Sequence, residues 1–394
     1  MRRTLVSFYA LILLTEIVWT AIVPLAPVYG RTFDLSSFQT GAVLAAAGVA
    51  TLAVSLPVGL LSDRVGARTL VIAASAVMTL STLGQALATD FWSLLLSRAA
   101  CGVALGAVWT AGLAWIAEVS TARRQQSALS FPTTVAGVGI VIGPAFAGLL
   151  AGATNVHVPF LLLTGLSALL TLALARTPRG VGAHTRREPL GDTLGKAGRD
   201  SVLLGSIVVM GVVGLVGGSI NLLVPLQLRG EGLGPAATGL AMSASSLVFV
   251  VASAYVARRP GALNLRFVGA AAVLYGLTML LVTADASAPS LITFVLVRAP
   301  FWAVLSTLAF PLGAVGALRA GVGIGAANGL LNLVWGAAGS AGPLAAGALD
   351  QSAGPSLVFA VLALACGIVG AGLIAAAPPG RLDGAAARSE PAHG

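Results

Sequence analysis

Charge is what this chain has least of. Only 9% of its 394 residues are Asp, Glu, Lys or Arg, against about 25% in soluble domains, and that shortfall excludes an ordinary water-soluble globule. Acids are scarcer still, 13 against 22 bases, which leaves a net charge of +9. The bases are scattered over short breaks between apolar runs, so the surplus does not mark a nucleic-acid-binding face. The only two cysteines, Cys101 and Cys366, both lie inside apolar runs. That excludes a disulfide framework and a cysteine metal cluster, and leaves them as small packing residues. The three histidines, His157, His184 and His393, fall in expected loops, the linker or the tail. No run of alternating ten-residue segments occurs, which excludes a β-barrel. No His/Asp/Cys/Ser constellation or metal-ligand spacing lies at membrane depth, so neither an enzyme nor a bound cofactor or metal is expected.

What the chain has in abundance is apolar sequence, 57% of all residues. It runs in stretches longer than the roughly 18 residues a helix needs to cross a bilayer. Gly 49 and Pro 19 would suggest loops in water; in lipid, small residues let helices approach closely and prolines are tolerated. The spacing predicts an all-α polytopic membrane protein of twelve spans, at 5–29, 38–61, 69–88, 92–116, 128–151, 157–175, 203–227, 236–257, 265–284, 290–316, 322–348 and 354–376. The first is read as a span and not a secretory signal, being too long for a signal core and carrying Glu16. The narrowest break is Leu318-Arg319-Ala320, between the tenth and eleventh spans.

Twelve spans put both termini and the even-to-odd loops on one side. Eighteen of the 22 basic residues fall there. Only Arg31 and Arg229 fall opposite, while Arg98 and Arg298 lie within spans. The positive-inside rule makes that side cytoplasmic, and a slip of one span would scramble the asymmetry. The expected organisation is a bundle over 1–175, a cytoplasmic linker over 176–202, a second bundle over 203–377 and an unstructured tail over 378–394. A bacterial inner (plasma) membrane and a monomer are expected.

The two halves echo each other. Arg98 in LLLSRAACG is answered by Arg298 in FVLVRAPFW, and GIVIGPAFAG from Gly139 by GSAGPLAAG from Gly339. In the second pair Pro144 maps onto Pro343 and Gly148 onto Gly347. GLLSDRVG (Gly59 to Gly66) is answered more weakly by AYVARRPG (Ala254 to Gly261). Half-protein repeats in one order are the pattern of transporters whose halves rock about a central site.

The loop after the second span reads Gly59-Leu60-Leu61-Ser62-Asp63-Arg64-Val65-Gly66-Ala67-Arg68. It resembles the G-x-L-x-D-R-x-G-R-R/K signature of the major facilitator superfamily, in the place and on the side where that family carries it. The resemblance covers the chain except its tail. It implies twelve helices in two pseudo-symmetric six-helix bundles. It also implies a latch in which Asp63, with Arg64, faces the N-terminus of the eleventh span and holds the outward-open state. Gly59 permits close helix approach and Gly66 a tight turn. Ala67 stands where the family has a base, so Arg68 is expected to pair with Glu118 in its place. Arg98 matches the family's intramembrane Arg of the fourth span, with Cys101 replacing a Gln. Gly139-x-x-x-Gly143-Pro144-x-x-Ala147-Gly148 looks like the antiporter motif of drug:proton exporters; ordinary small-residue packing gives the same pattern.

Of the thirteen acids only Glu16 falls near the middle of a span. A charge there costs about 2.5–3.5 kcal/mol on insertion scales, so the group must be protonated, paired or facing water. Arg98 is its expected partner, since the first and fourth helices are neighbours in the family. The pair reads as the proton-coupling site. Arg298 has two readings, an anion-binding residue or one that snorkels to the interface. Asn328 and Asn332 share a helix face. With Trp19, Trp109, Asn221, Trp302 and Trp335 they complete the candidate cavity residues; aromatic interface belts supply the plainer account of the tryptophans.

Three functions compete: a proton-driven exporter of small amphipathic molecules, a uniporter or proton symporter of a sugar, lipid or metabolite, and a non-transporting sensor or enzyme. The expected partners are a small-molecule substrate, protons and the lipid bilayer.

Overall fold

The computed structural model describes residues 2–120, 122–177, 200–259 and 263–377. Most of the expected linker and the whole tail lie outside the described residues, as do the side chains of Asp63 and of the stretch 122–127. The described residues form helices and no strands. In chain order they are α1 Arg2–Ala21, α2 Ala26–Thr32, α3 Ser37–Val65, α4 Ala67–Ala86, α5 Phe91–Val119, α6 Ala122–Ala153 and α7 His157–Ala175. There follow α8 Ser201–Gly230, α9 Pro235–Ala257, α10 Leu265–Ala284, α11 Ala288–Ala320, α12 Ile324–Ala353 and α13 Pro355–Ala375.

Eleven of these helices are long and apolar enough to cross a membrane. α12, 30 residues long, is the remaining expected span, the eleventh; Asn328, Asn332 and its many glycines dilute its apolar character. The first expected span is not continuous. It divides into α1 and α2, because Pro24 lies in the turn between them and Pro27 sits in the first turn of α2, where a missing N–H is harmless. The narrow break after the tenth span is genuine. Gly321 ends α11 at φ 64°, its N–H bonding back to the carbonyls of Ala317 and Leu318, a left-handed cap that Gly takes without penalty.

Polar caps set several helix starts. Ser36 accepts from the Gln39 N–H while Gln39 accepts from the Ser36 N–H, a capping box opening α3; Asp90 and Ser93 repeat it at α5. Asp90 is exposed, and the backbone N–H of Ser93 holds its carboxyl below the ordinary range. Asp200 caps α8 through the N–H groups of Val202 and Leu203, and its other oxygen pairs with Arg319 Nε at 3.0 Å, tying the end of α11 to the start of α8.

Side chains as apolar as Leu80, Leu96 and Leu169 are each about two-thirds exposed, which is the surface a bilayer solvates and water does not. Inside, hydroxyls join helices where the hydrophobic effect between them is absent. Ser75 bonds Thr171 at 2.7 Å, Thr79 bonds Ser167 at 2.9 Å and Thr164 bonds Thr82 at 3.1 Å, all between α4 and α7.

The described residues gather into two compact units. One takes those within Met1–Thr185, Gly218–Ser246 and Pro343–Gln351; the other takes those within Arg186–Gly217, Leu247–Gly342 and Ser352–Gly394. One unit boundary, between 185 and 186, falls within the expected linker 176–202, and the others fall inside α8, α9 and α12. Within the first unit, segments of those three helices pack on α3 and α6 with little between the backbones. Gly347 leaves room beside Ser37 for no side chain, and Ser37 Oγ donates to Asp350 at 2.6 Å.

Candidate functional site

Glu16 lies on α1 and is 8% exposed. Its carboxylate accepts a hydrogen bond from Trp109 Nε1 of α5 at 3.0 Å. A hydrogen bond to a charged group contributes about 1.5–3 kcal/mol. α6 packs against the same turn of α1 through its glycines. A Cβ added at Gly139 would lie 2.6 Å from Glu16 Cβ and 2.9 Å from the Leu13 carbonyl, and one at Gly143 2.9 Å from the Ile17 carbonyl. The first two glycines of the antiporter-like motif are therefore the surface on which the acid is seated. Its second part faces α9: Gly148 abuts Gly239, and the Ala145 N–H, next to Pro144, donates to Ser243 Oγ at 2.8 Å.

The expected ion pair between Glu16 and Arg98 does not form. Arg98 is 1% exposed; its guanidinium lies over the Trp19 ring, 5.6 Å from the centroid, and donates to Cys101 Sγ at 3.8 Å. A cation over an indole gains about 0.5–2 kcal/mol. Trp19, one turn from Glu16, therefore holds the cation, and Trp109 supplies the carboxylate's partner. Trp19 and Trp109 are both in the site, as contacts of the two charged groups.

Arg298 occupies the corresponding place in the second half. It is 3% exposed, which rules out snorkelling. Its Nη1 donates to Tyr275 OH of α10 at 3.3 Å, and its guanidinium lies 5.9 Å from the Phe294 ring centroid and 5.3 Å from that of Trp302. Trp302 in turn packs on Phe249 of α9, with ring centroids 4.4 Å apart. Sequence reasoning named Arg298 and Trp302 but missed Tyr275, Phe294 and Phe249. The i−4 and i+4 spacing of Phe294 and Trp302 about Arg298 was the available signal for one of them; nothing linear points to Tyr275 or Phe249. The remaining cavity candidates do not join this cluster. Asn332 is exposed and donates to the Asn328 carbonyl of its own helix at 3.1 Å, Trp335 is 43% exposed, and Asn221 is half-buried on α8.

At the loop motif, Gly59 is buried in α3 and Gly66 takes φ 86°, so the tight turn between α3 and α4 needs glycine. Arg64 is exposed. Arg68 does not pair with Glu118. It donates to the Ala175 carbonyl at 2.8 Å and to Thr177 Oγ1 at 3.3 Å, because the unsatisfied carbonyls and negative end of α7 lie within reach of its planar fork. Glu118, half-buried in the last turn of α5, has no ion-pair partner among the described residues.

Long apolar helices with buried charges and a glycine-lined acid define a polytopic membrane protein. Comparison with known proteins gives the family: the Major Facilitator Superfamily profile matches residues 8–328, and the chain belongs to that family of transporters. Among curated relatives, it is 27% identical over 139 residues to Multidrug resistance protein 2 of Bacillus subtilis, 35% of this chain and 34% of that one. It is 23% identical over 161 residues to Quinolone resistance protein NorA of Staphylococcus aureus, 40% of this chain and 41% of that one. The matches thus span only about a third to two-fifths of those relatives. The fold is similar to that of a bacterial homolog of the human lysosomal transporter Spinster, with TM-score 0.72 at 15% identity over 95% of this chain and 93% of that one. The architecture is therefore the major facilitator fold.

Proposed function

We propose that this transporter exports small amphipathic molecules by proton antiport, through alternating access of two six-helix halves over 1–175 and 203–377. Proton exchange takes place at Glu16. The observation that carries the reading is the seating of this acid: a lone mid-span carboxyl with, among the described residues, one neutral donor, Trp109, and no basic partner, and with glycines of α6 packed against its Cβ. An acid without a cation can accept a proton without breaking an ion pair, and motion of α6 along α1 acts directly on its position. The names of the curated relatives, multidrug and quinolone resistance, support small-molecule export. The distribution of basic residues supports a plasma (inner) membrane location with both termini cytoplasmic.

Reconstitution tests this. In proteoliposomes under an imposed pH gradient, wild type is expected to move substrate against its gradient with counterflow of protons. Glu16→Gln is expected to bind substrate and to lose proton-driven accumulation. A variant that pumps normally removes Glu16 from coupling, and transport indifferent to pH in the wild type replaces antiport with uniport. Asp63→Asn is expected to shift cysteine accessibility toward the cytoplasmic side; unchanged accessibility removes the latch.

A further inference from the structure

Among the described residues, the second half holds a cation with no counter-ion. A guanidinium keeps its charge wherever it is placed, and burial away from water is tolerated only when paired. Yet Arg298, almost fully buried, meets one neutral phenol and two aromatic rings. The two acids described in that compact unit are engaged elsewhere: Asp200 pairs with Arg319, and Asp285, in the loop before α11, accepts from Ser287 and from Ser290 in the first turn of that helix. Donors remain unspent beside the cation. Arg298 Nε and Trp302 Nε1 are both buried and have no hydrogen-bond partner. Donors left free on two adjacent groups, with aromatic faces from Phe249, Phe294 and Trp302 around them, are complementary to an acceptor-rich group on a flat apolar body. Tyr275 orients the fork by taking Nη1. On the far side, Gly217 of α8 approaches the Trp302 ring at an ordinary 3.7 Å even with a Cβ added, so the indole is not clamped there.

We infer that Arg298, Trp302 and Tyr275 form an anion-receiving subsite that takes the carboxylate or sulfonate of an aromatic amphipathic substrate. The inference rests on the transport reading for its substrate role, and it narrows that reading to organic anions and zwitterions. The guanidinium supplies the charge complement, the indole N–H a second donor, and Phe249 with Trp302 the apolar wall. The Phe249–Trp302 contact must open for a ligand to reach Nε.

The test uses the full-length protein in proteoliposomes and three probes of one shape: naphthylacetate, naphthylacetamide and naphthylethylamine. Binding is measured by calorimetry and movement under an imposed pH gradient. Wild type is expected to bind the acid at least about tenfold more tightly than the amide. Arg298→Gln is expected to abolish that preference without weakening the amide, and Arg298→Lys to keep part of it. Trp302→Phe, which removes one donor and little shape, is expected to weaken the acid alone by a few-fold. Each variant is admitted on a single elution peak and an unfolding midpoint near wild type. If Arg298→Gln does not fold, Trp302→Phe and Arg298→Lys carry the comparison. Equal affinity for acid and amide, no binding of the acid, or a preference that survives Arg298→Gln overturns the inference. Pumping of the amide or amine without any effect of Arg298 leaves the transport reading standing and removes the subsite. Arg298-dependent binding of the acid with no proton-driven movement of any probe does the reverse.

Discussion

Replacing Gly139 by alanine adds one methyl group at the point where α6 meets the coupling acid. That carbon would sit 2.6 Å from Glu16 Cβ and 2.9 Å from the Leu13 carbonyl. Neither neighbour is the free end of a flexible chain: one is the root of the Glu16 side chain, the other is backbone. The helices must therefore part. Overpacking of this kind costs about 1–3 kcal/mol. Moving Glu16 by a few tenths of an ångström also lengthens its 3.0 Å bond from Trp109. The expected result is a lower unfolding midpoint together with a loss of proton-driven efflux, measured in the same preparation. Gly165→Ala is the control, since a Cβ there meets nothing within 4 Å, and substitutions at such positions stay within about 0.5 kcal/mol. If Gly139→Ala matches Gly165→Ala in both stability and efflux, α6 does not seat the acid and the coupling argument loses its geometry.

Trp109→Phe removes the only donor to the Glu16 carboxylate among the described residues and is expected to lower proton-driven accumulation about tenfold, for a loss of about 1.4 kcal/mol, with substrate-induced thermal stabilisation retained. Arg68→Ala strips the cap from α7 and is expected to destabilise by about 1 kcal/mol; Glu118→Gln should leave the unfolding midpoint unchanged, since the two side chains are not paired. Asp90 has its carboxyl held below the ordinary range, so its contribution to stability is present above the unfolded value of about 4 and is lost as pH falls through the lower folded value. The protection factor at the first turn of α5, exchange corrected for its intrinsic pH dependence, should therefore fall in acid in wild type and stay flat with pH in Asp90→Ala.

Much of this fold was legible because lipid imposes long apolar runs. The expected limits of the sixth and ninth spans, 157–175 and 265–284, coincide with α7 and α10. The division of the first span was missed although Pro24 and Pro27 were in plain view, since hydropathy does not register backbone breaks. The acid itself was legible, as the single mid-span carboxyl. Its partner was not. Arg98 was the obvious cation, but helix rotation decides which of two charged groups meets which tryptophan, and one sequence carries no rotation angle. The same holds for Arg68, whose nearest acceptors are main-chain carbonyls of α7 and leave no trace in residue type. Tyr275 and Phe249 belong to helices remote in sequence from Arg298 and could be found only in three dimensions.

The hydroxyl pairs between α4 and α7 constrain how this protein can change shape. They bridge the two helices at three successive levels. Sliding one helix along the other by half a turn would break all of them together, in a medium that offers no water as a substitute. α4 and α7 must then travel as one rigid spar, and the flexing that exposes one face or the other has to be sought in the proline-bearing helices beside them.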